Sequence, residues 1–239
     1  MTETPDAAPK TPSTAMLILR GSIQFTVAMG IWGGLMFWGA GTFGWPRGWI
    51  HLALWVVTVL VNMAVLLKAN RDVIAARLKP KPSSERSDRI LLWTFLPVML
   101  AVPLLAGLDA VRYEWSSVPE WGVYAGIALH AAGDALLLWT MVVNPYLEKT
   151  VRIQADRGHR VITTGPYAMV RHPMYVGVML LFAGTPLLLG SLWTFVPVGL
   201  TVPLLIVRTV HEERLLFHNL PGYEEYAQRT RYRLIPGVW

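Results

Sequence analysis

Cysteine is absent from the 239-residue sequence. Its absence excludes disulfide bonds, thiolate metal ligands, a catalytic thiol and a prenylated C-terminal cysteine. The N-terminal stretch also lacks the basic region and the small-residue cleavage site of a signal peptide. Because residues 1–15 are polar and rich in proline and threonine, we expect a short disordered tail there.

Charge is scarce as well. Only 15% of the residues are charged, whereas a soluble domain of ordinary composition has about 25%. The deficit is concentrated in four runs without Asp, Glu, Lys or Arg, of 23, 20, 19 and 34 residues: 21–43, 48–67, 90–108 and 174–207. A bilayer core about 30 Å thick needs roughly 20 apolar residues in a helix. The sequence therefore predicts a polytopic membrane protein rather than a soluble helical domain.

Positive charge is missing from one side of this predicted protein. Of the 21 Lys and Arg residues, only Arg47 and Arg112 lie in alternate loops, and the other 19 lie in the N-terminus, in 68–89, in 144–172 and after 207. Loops rich in Lys and Arg stay in the cytoplasm. The net charge of +6 therefore indicates orientation rather than a nucleic-acid partner. Both termini are predicted to be cytoplasmic.

The fold class that follows is all-α: a polytopic transmembrane helical bundle with four spans plus a C-terminal helical hairpin, about six membrane segments in total. Residues 16–143 form the four-span region, and residues 144–239 form a second region that contains the hairpin 173–208. The four spans are predicted at 16–40, 49–68, 89–109 and 120–143, with a short interfacial helix around 73–78.

The hairpin brings two polar segments together. Its charge-free run of 34 residues is long for one crossing, and Gly184, Pro186 and Gly190 near its middle favour a turn. Arg171-His172 before the run and His211-Glu212-Glu213 after it should then meet at one membrane surface. Whether the hairpin crosses fully or is re-entrant stays open at this point.

The chemistry of these two segments suits a charged ligand. Pro173 favours the first position of a helix, whose free N–H groups, with Arg171 and His172 just before them, could seat a carboxylate or phosphate. Glu212 and Glu213 point about 100° apart on a helix, so at most one faces a shared cavity. S-adenosylmethionine, with a carboxylate, an ammonium, a diol and a sulfonium that favours aromatic faces, fits this set. An anionic lipid headgroup fits Arg171 and His172 equally well.

Three stretches carry a resemblance to a known family. "GPYAMVRHPMYVG" from residue 165, "HEERLL" from 211 and "GYEEYAQRTRYRLIPG" from 222 resemble the membrane methyltransferases of the isoprenylcysteine carboxyl methyltransferase type, whose broader group includes phospholipid methyltransferases. The resemblance covers 144–239. It implies an integral membrane enzyme that binds S-adenosylmethionine from the cytoplasmic side. The composition suggests a bacterial protein, for which we expect the inner membrane.

The resemblance also implies a site and a substrate class. The acceptor would be lipophilic and reach the cofactor from the bilayer: an isoprenylcysteine carboxylate, a phospholipid amine, or a small thiol or carboxylate. A thiol or amine needs a base, for which Glu213, Glu212 and His172 are candidates, and methyl transfer from a sulfonium requires no metal. The implied cofactor-binding residues are Gly165, Pro166, Tyr167, Arg171, His172, Pro173, Tyr175, Gly177, Glu212 and Glu213.

Two polar residues inside the fourth span do not belong to this pattern. His130 and Asp134 are four residues apart, so they share a helix face, and ionisable residues in spans are functional candidates. A structural His–Asp hydrogen bond is the plainer interpretation. The pair also supports a second hypothesis, a transporter or lipid-binding scaffold. A third hypothesis is a membrane reductase of the sterol-reductase type.

Overall fold

The computed structural model describes residues 12–78 and 86–239, without the side chains of 86–88. Within these ranges every regular element is a helix, and no strand occurs. The first helix begins at Thr14, and most of the predicted tail, residues 1–11, lies outside the described residues.

Eight α-helices follow one another along the described chain. Their bounds are α1 Thr14–Ala40, α2 Pro46–Ala69, α3 Arg71–Leu78, α4 Arg86–Gly107, α5 Trp121–Val143, α6 Pro173–Leu189, α7 Phe195–Asn219 and α8 Tyr223–Arg229. Helices α1, α2, α4 and α5 begin and end within three residues of the four predicted spans, whereas α7 continues beyond the predicted end of the hairpin at residue 208. A π-helical turn, Leu108–Arg112, continues α4, and two 3₁₀ turns, Ala155–Arg157 and Gly165–Ala168, lie in the segment between α5 and α6.

Five of these helices are long and apolar enough to cross a membrane: α1, α2, α4 with its π turn, α5 and α7. Helix α6 has 17 residues, which is about 25 Å at 1.5 Å per residue, slightly less than a bilayer core of roughly 30 Å. The predicted class, an all-α polytopic bundle with a C-terminal helical hairpin, is confirmed. The side of the membrane that each terminus faces stays a prediction from the charges.

Helices α5 and α6 approach each other at paired glycines. A Cβ added to Gly133 would lie 2.6 Å from the carbonyl oxygen of Gly177, and a Cβ on Gly184 would lie 2.7 Å from that of Gly126. The backbones therefore touch without side chains between them, a contact typical of membrane helices with small residues at the interface. This contact fixes the start of α6 against the end of α5.

The turn that closes the α6–α7 hairpin lies at the end of the bundle opposite to Pro173, where α6 begins. Helix α6 ends at Gly190, whose φ of 83° is the left-handed conformation that glycine adopts without strain. Buried Asp109, in the π turn, accepts hydrogen bonds of 2.6 Å from the Ser116 and Ser191 hydroxyls and one of 3.1 Å from the Trp193 N–H. The turn is thereby tied to α4, and α7 returns the chain to the end of the bundle where α6 began.

Candidate functional site

A cavity lies at the end of the bundle where the hairpin begins and ends. Its walls come from residues 144–162, Tyr167, the start of α6, the second half of α7 and two tyrosines of α8. The cavity contains about 830 Å³ of empty space, a figure that includes its open mouth. Of the ten predicted cofactor-binding residues, six line it: Tyr167, Arg171, His172, Pro173, Tyr175 and Glu212.

Behind the wall, Glu213 is held between two arginines. Its Oε1 accepts a hydrogen bond of 2.5 Å from Arg171 Nε, and its Oε2 accepts one of 2.6 Å from Arg233 Nε. Glu213 is only 3% exposed, and its charge is balanced by both guanidinium groups. These contacts favour a structural role, so the predicted catalytic role of Glu213 stays a prediction that its surroundings do not support.

Arg171 also fastens the C-terminal segment to the bundle. Its Nη1 donates to the carbonyl oxygens of Thr230 and Arg231, each at 2.8 Å. The backbone N–H groups of Arg171 and His172 donate to the carbonyls of Tyr232 and Arg233, each at 2.9 Å. The guanidinium predicted to bind a ligand is thus occupied by the protein itself, and direct contact between Arg171 and a cofactor stays a prediction.

Glu212 faces the cavity, as the 100° angle between adjacent helical residues predicts. Its Oε2 accepts a hydrogen bond of 2.5 Å from the Tyr175 hydroxyl and lies 3.9 Å from His172 Nδ1. The His172 and Tyr175 rings are stacked, with centres 5.6 Å apart and planes within 5°. Helix α6 begins at Pro173, so the predicted helix start is confirmed, and it carries this stack on its first turn.

His172 Nε2 and the Tyr223 hydroxyl belong to cavity-lining residues, and both atoms are buried without a hydrogen-bond partner among the described residues. The former is 3.4 Å from Glu213 Oε1 but is not aligned for a hydrogen bond. Buried polar atoms are nearly always satisfied in native proteins. Both residues line the cavity and are therefore candidates to bond a ligand there.

Tyrosines form one wall of the cavity. The Tyr226 hydroxyl donates to the Tyr167 carbonyl at 2.8 Å, and Asn144 Nδ2 donates to the Tyr167 hydroxyl at 2.7 Å. Burial raises the pKa of Tyr167, Tyr223 and Tyr226 above that of an ordinary phenol. The three phenols therefore stay neutral near pH 7. Tyr223 and Tyr226 pack with Leu220 in one hydrophobic cluster and also face the cavity.

Four predicted cofactor-binding residues do not line the cavity: Gly165, Pro166, Gly177 and Glu213. Gly165 has φ +60°, and a Cβ there would lie 3.1 Å from Trp139 Nε1, so it serves the turn that presents Tyr167. Pro166 is buried at the start of the same turn. Gly177 lies against the carbonyl of Gly133, which gives it a packing role.

Residues 144–160, which follow α5, contribute cavity-lining side chains that the sequence did not predict. Arg152 makes two hydrogen bonds of 2.8 Å to the carboxylate of Glu148, and the His159 and Tyr146 rings lie 4.5 Å apart. Burial lowers the pKa of His159 below its ordinary value, and the nearby Glu212 charge opposes this only in part. His159 is therefore mainly neutral near pH 7. The mixture of charged and aromatic residues in 144–160 was the available signal.

Arg208 closes the side of the cavity next to Tyr175. Its guanidinium carbon lies 5.9 Å from the centre of the Tyr175 ring, and its Nη2 donates to the Lys149 carbonyl at 2.6 Å. Arg208 thus links α7 to the segment 144–160. In the sequence it was visible only as the first charge after the last apolar run.

The fold and the site define a polytopic helical membrane protein with a polar, aromatic-lined cavity at one end of its bundle. Residues 126–218, which include α6 and nearly all of α7, match the isoprenylcysteine carboxyl methyltransferase (ICMT) family. This match, together with the similarity to a plant isoprenylcysteine methyltransferase described below, supports a membrane methyltransferase of the ICMT type. The match favours the methyltransferase hypothesis over the carrier and the reductase.

Relatives from bacteria and plants resemble the chain. The nickel-cobalt-cadmium resistance protein NccN of Alcaligenes xylosoxydans xylosoxydans is 28% identical over 67% of this chain and 70% of its own length. The cobalt-zinc-cadmium resistance protein CzcN of Cupriavidus metallidurans is 33% identical over 59% of this chain and 61% of its own. A probable protein-S-isoprenylcysteine O-methyltransferase of Oryza sativa subsp. indica is 27% identical over 45% of this chain and 58% of its own.

Proposed function

We propose that the chain transfers a methyl group from S-adenosylmethionine to a lipophilic acceptor at the cytoplasmic face of the membrane, in a bacterial inner membrane. One observation carries the proposal. The cavity presents carboxylates, neutral hydrogen-bonding groups and aromatic faces together, and it lies where the chain enters and leaves its membrane hairpin. The family supports methyl transfer, and the cavity supports this cofactor.

The residues of the cavity fit the chemical groups of this cofactor. The carboxylate of Glu212 can accept hydrogen bonds from hydroxyl or ammonium groups, and the unpartnered atoms of His172 and Tyr223 can bond polar atoms of a ligand. The faces of Tyr167 and Tyr175 suit a sulfonium. When bound, S-adenosylmethionine would supply an electrophilic methyl group to the site.

The protein's own contribution is mainly positioning. Holding an acceptor close to the methyl donor in correct orientation, away from bulk water, accounts for a large part of the barrier reduction in such reactions. The buried pair of Arg171 and Glu213 holds the wall that carries Glu212 and His172 in place. The segment 144–160 covers the other side of the cavity.

A base is needed only for some acceptors. A carboxylate is already ionised and attacks directly, whereas a thiol or an amine must first lose a proton. Of the two glutamates predicted as candidates, Glu212 is the one that faces the cavity. His159, neutral and also on the wall, is a further candidate.

Calorimetric titration with S-adenosylhomocysteine tests the cofactor. Detergent-purified wild type should bind it, and His172→Ala should bind at least about tenfold more weakly, because a buried hydrogen bond to a charged group contributes roughly 1.5–3 kcal/mol. The matched control is His218→Ala, an exposed histidine on α7 outside the cavity, which should bind like wild type.

Wild type that unfolds cooperatively on heating yet binds no S-adenosylhomocysteine would contradict the proposal. If it binds, transfer of labelled methyl from S-adenosylmethionine to prenylated cysteine, phospholipid amines and lipophilic thiols would identify the acceptor class. No transfer to any lipophilic compound would contradict the acceptor part of the proposal.

A further inference from the structure

A second polar cluster lies inside the bundle, far from the cavity. It consists of Trp32 from α1, His51 and Trp55 from α2, and His130 from α5. The His51 ring neighbours the other three, with centres 6.2 Å from Trp32, 6.0 Å from Trp55 and 6.2 Å from His130. The Trp32 and Trp55 rings are 5.3 Å apart. Three helices thus contribute to one group of four rings, which we call the Trp–His cluster.

The hydrogen-bonding atoms of this cluster are buried and unpartnered. His51 is 0%, His130 3% and Trp32 9% exposed. Five nitrogen atoms have no hydrogen-bond partner among the described residues: Trp32 Nε1, Trp55 Nε1, His51 Nδ1, His51 Nε2 and His130 Nδ1. So many orphaned atoms in one place are unusual in a folded protein, because each costs free energy when it leaves water.

Asp134 does not satisfy the cluster. The spacing of His130 and Asp134 suggested a hydrogen bond between these two residues. Instead, Asp134 Oδ1 accepts a hydrogen bond of 2.7 Å from Asn62 Nδ2. The two residues share a face of α5, but each meets a different part of α2. His130 therefore stands edge-on to His51, with its Nδ1 unpartnered.

The numbers of unpartnered hydrogen-bond donors and acceptors indicate which kind of atom could satisfy them. An indole nitrogen only donates, and a neutral imidazole offers one donor and one acceptor. The two indoles and His51 therefore supply three donors and one acceptor. An oxygen atom that accepts two hydrogen bonds and stays neutral in the bilayer matches this set. A metal ion matches it poorly, because indole N–H groups cannot coordinate a cation.

The cluster is remote from the methyl-transfer cavity. His130 precedes Asn144, on the cavity wall, by 14 residues that are nearly all in α5, which is about 21 Å along the helix. An occupant of the cluster would therefore not take part in the transfer itself, and this inference does not depend on the proposed reaction.

We propose that the Trp–His cluster binds a neutral oxygen atom within the membrane, either of an internal water molecule or of a carbonyl or hydroxyl group on a lipophilic molecule. The oxygen accepts hydrogen bonds from the indole N–H groups of Trp32 and Trp55, and a water or hydroxyl oxygen also donates its proton to an imidazole nitrogen of His51 or His130. Buried waters characteristically occupy such places and make about three hydrogen bonds each.

Proton NMR of the full-length protein, with ¹⁵N in its tryptophan indoles and embedded in nanodiscs, tests the proposal. Trp32→Phe and Trp55→Phe assign the two signals. Trp49, whose Nε1 donates to the Phe43 carbonyl at 2.8 Å, provides a hydrogen-bonded reference. We expect the indole protons of Trp32 and Trp55 to resonate near that of Trp49, and His51→Phe to shift both upfield while the exposed-site control His218→Phe leaves them unchanged.

Cross-peaks distinguish the two sources of oxygen. Cross-peaks from both indole protons to water indicate internal water, and cross-peaks to a co-purified molecule that disappear after delipidation indicate a lipophilic ligand. Either result supports the proposal. Indole signals upfield of Trp49 without such cross-peaks would overturn it, and so would a stoichiometric metal ion, found by elemental analysis of the purified protein, that is lost in His51→Phe.

Discussion

At the scale of single residues, the most informative group is the carboxylate of Glu213. Glu212 and Glu213 are adjacent and chemically identical, yet Glu213 lies between Arg171 and Arg233 while Glu212 faces the cavity. The difference arises from the 100° rotation between neighbouring helical residues. One glutamate therefore stabilises the site, and the other is available for its chemistry.

Glu213→Gln should lower stability markedly. The substitution leaves Arg171, which is buried, without its charged partner, and breaking a buried ion pair from one side costs about 3 kcal/mol or more. Thermal unfolding in detergent measures the change. Glu225→Gln, at an exposed position on α8, is the matched control and should change stability by less than about 0.5 kcal/mol. Equal melting temperatures for the two variants would refute the role given to Glu213.

At the scale of elements, the position of the site depends on how closely α5 and α6 approach. The pairs Gly133–Gly177 and Gly126–Gly184 bring the helix backbones together. Their contact sets where His172 and Tyr175 lie relative to the segment that leaves α5 at Asn144. Gly177, which the family resemblance implied as a cofactor residue, acts here through packing.

Gly133→Ala tests this contact. The added Cβ would lie 2.6 Å from the Gly177 carbonyl oxygen and 2.9 Å from the Leu181 nitrogen, so α5 and α6 must move apart at a cost of about 1–3 kcal/mol. Gly30→Ala, on α1 with no atom within 4 Å of its new Cβ, should be neutral or slightly stabilising. We expect a lower melting temperature and weaker S-adenosylhomocysteine binding for Gly133→Ala only, and equal behaviour of both variants would contradict the packing role.

At the scale of the whole molecule, the asymmetric distribution of positive charge predicts which face of the membrane carries the cavity. The segment 144–164, rich in Lys and Arg, lies at the cavity, whereas the loop that contains Ser117 lies at the opposite end of α5. From the positive-inside rule we expect the cavity to face the cytoplasm, where a cytosolic methyl donor could reach it.

The absence of cysteine allows a clean test of this orientation. In intact cells a membrane-impermeant maleimide should label Ser117→Cys, at an exposed site, and should label Ala155→Cys, also exposed, only after permeabilisation. Wild type has no cysteine and provides the unlabelled background. The reverse labelling pattern would place the cavity outside and contradict the proposed localisation.

The sequence by itself determined the helices and their turns. Charge-free runs of about 20 residues specify membrane helices because a helix satisfies its backbone hydrogen bonds within the bilayer. Pro173 and Gly190 mark the ends of α6 because their backbone preferences are local. The meeting of His172, Tyr175 and Glu212 followed from the hairpin. These inferences needed only the neighbours of each residue along the chain.

The tertiary structure decided which polar groups form hydrogen bonds within the protein and which remain available to a ligand. Arg233 and the segment 144–160 join the site through contacts between residues far apart in sequence, and no local pattern encodes their partners. His51 gave no functional signal in the sequence, yet it is the centre of the Trp–His cluster. Pairing of buried charges and hydrogen bonds depends on distances of a few ångströms between different helices, and these distances exist only after the helices have packed.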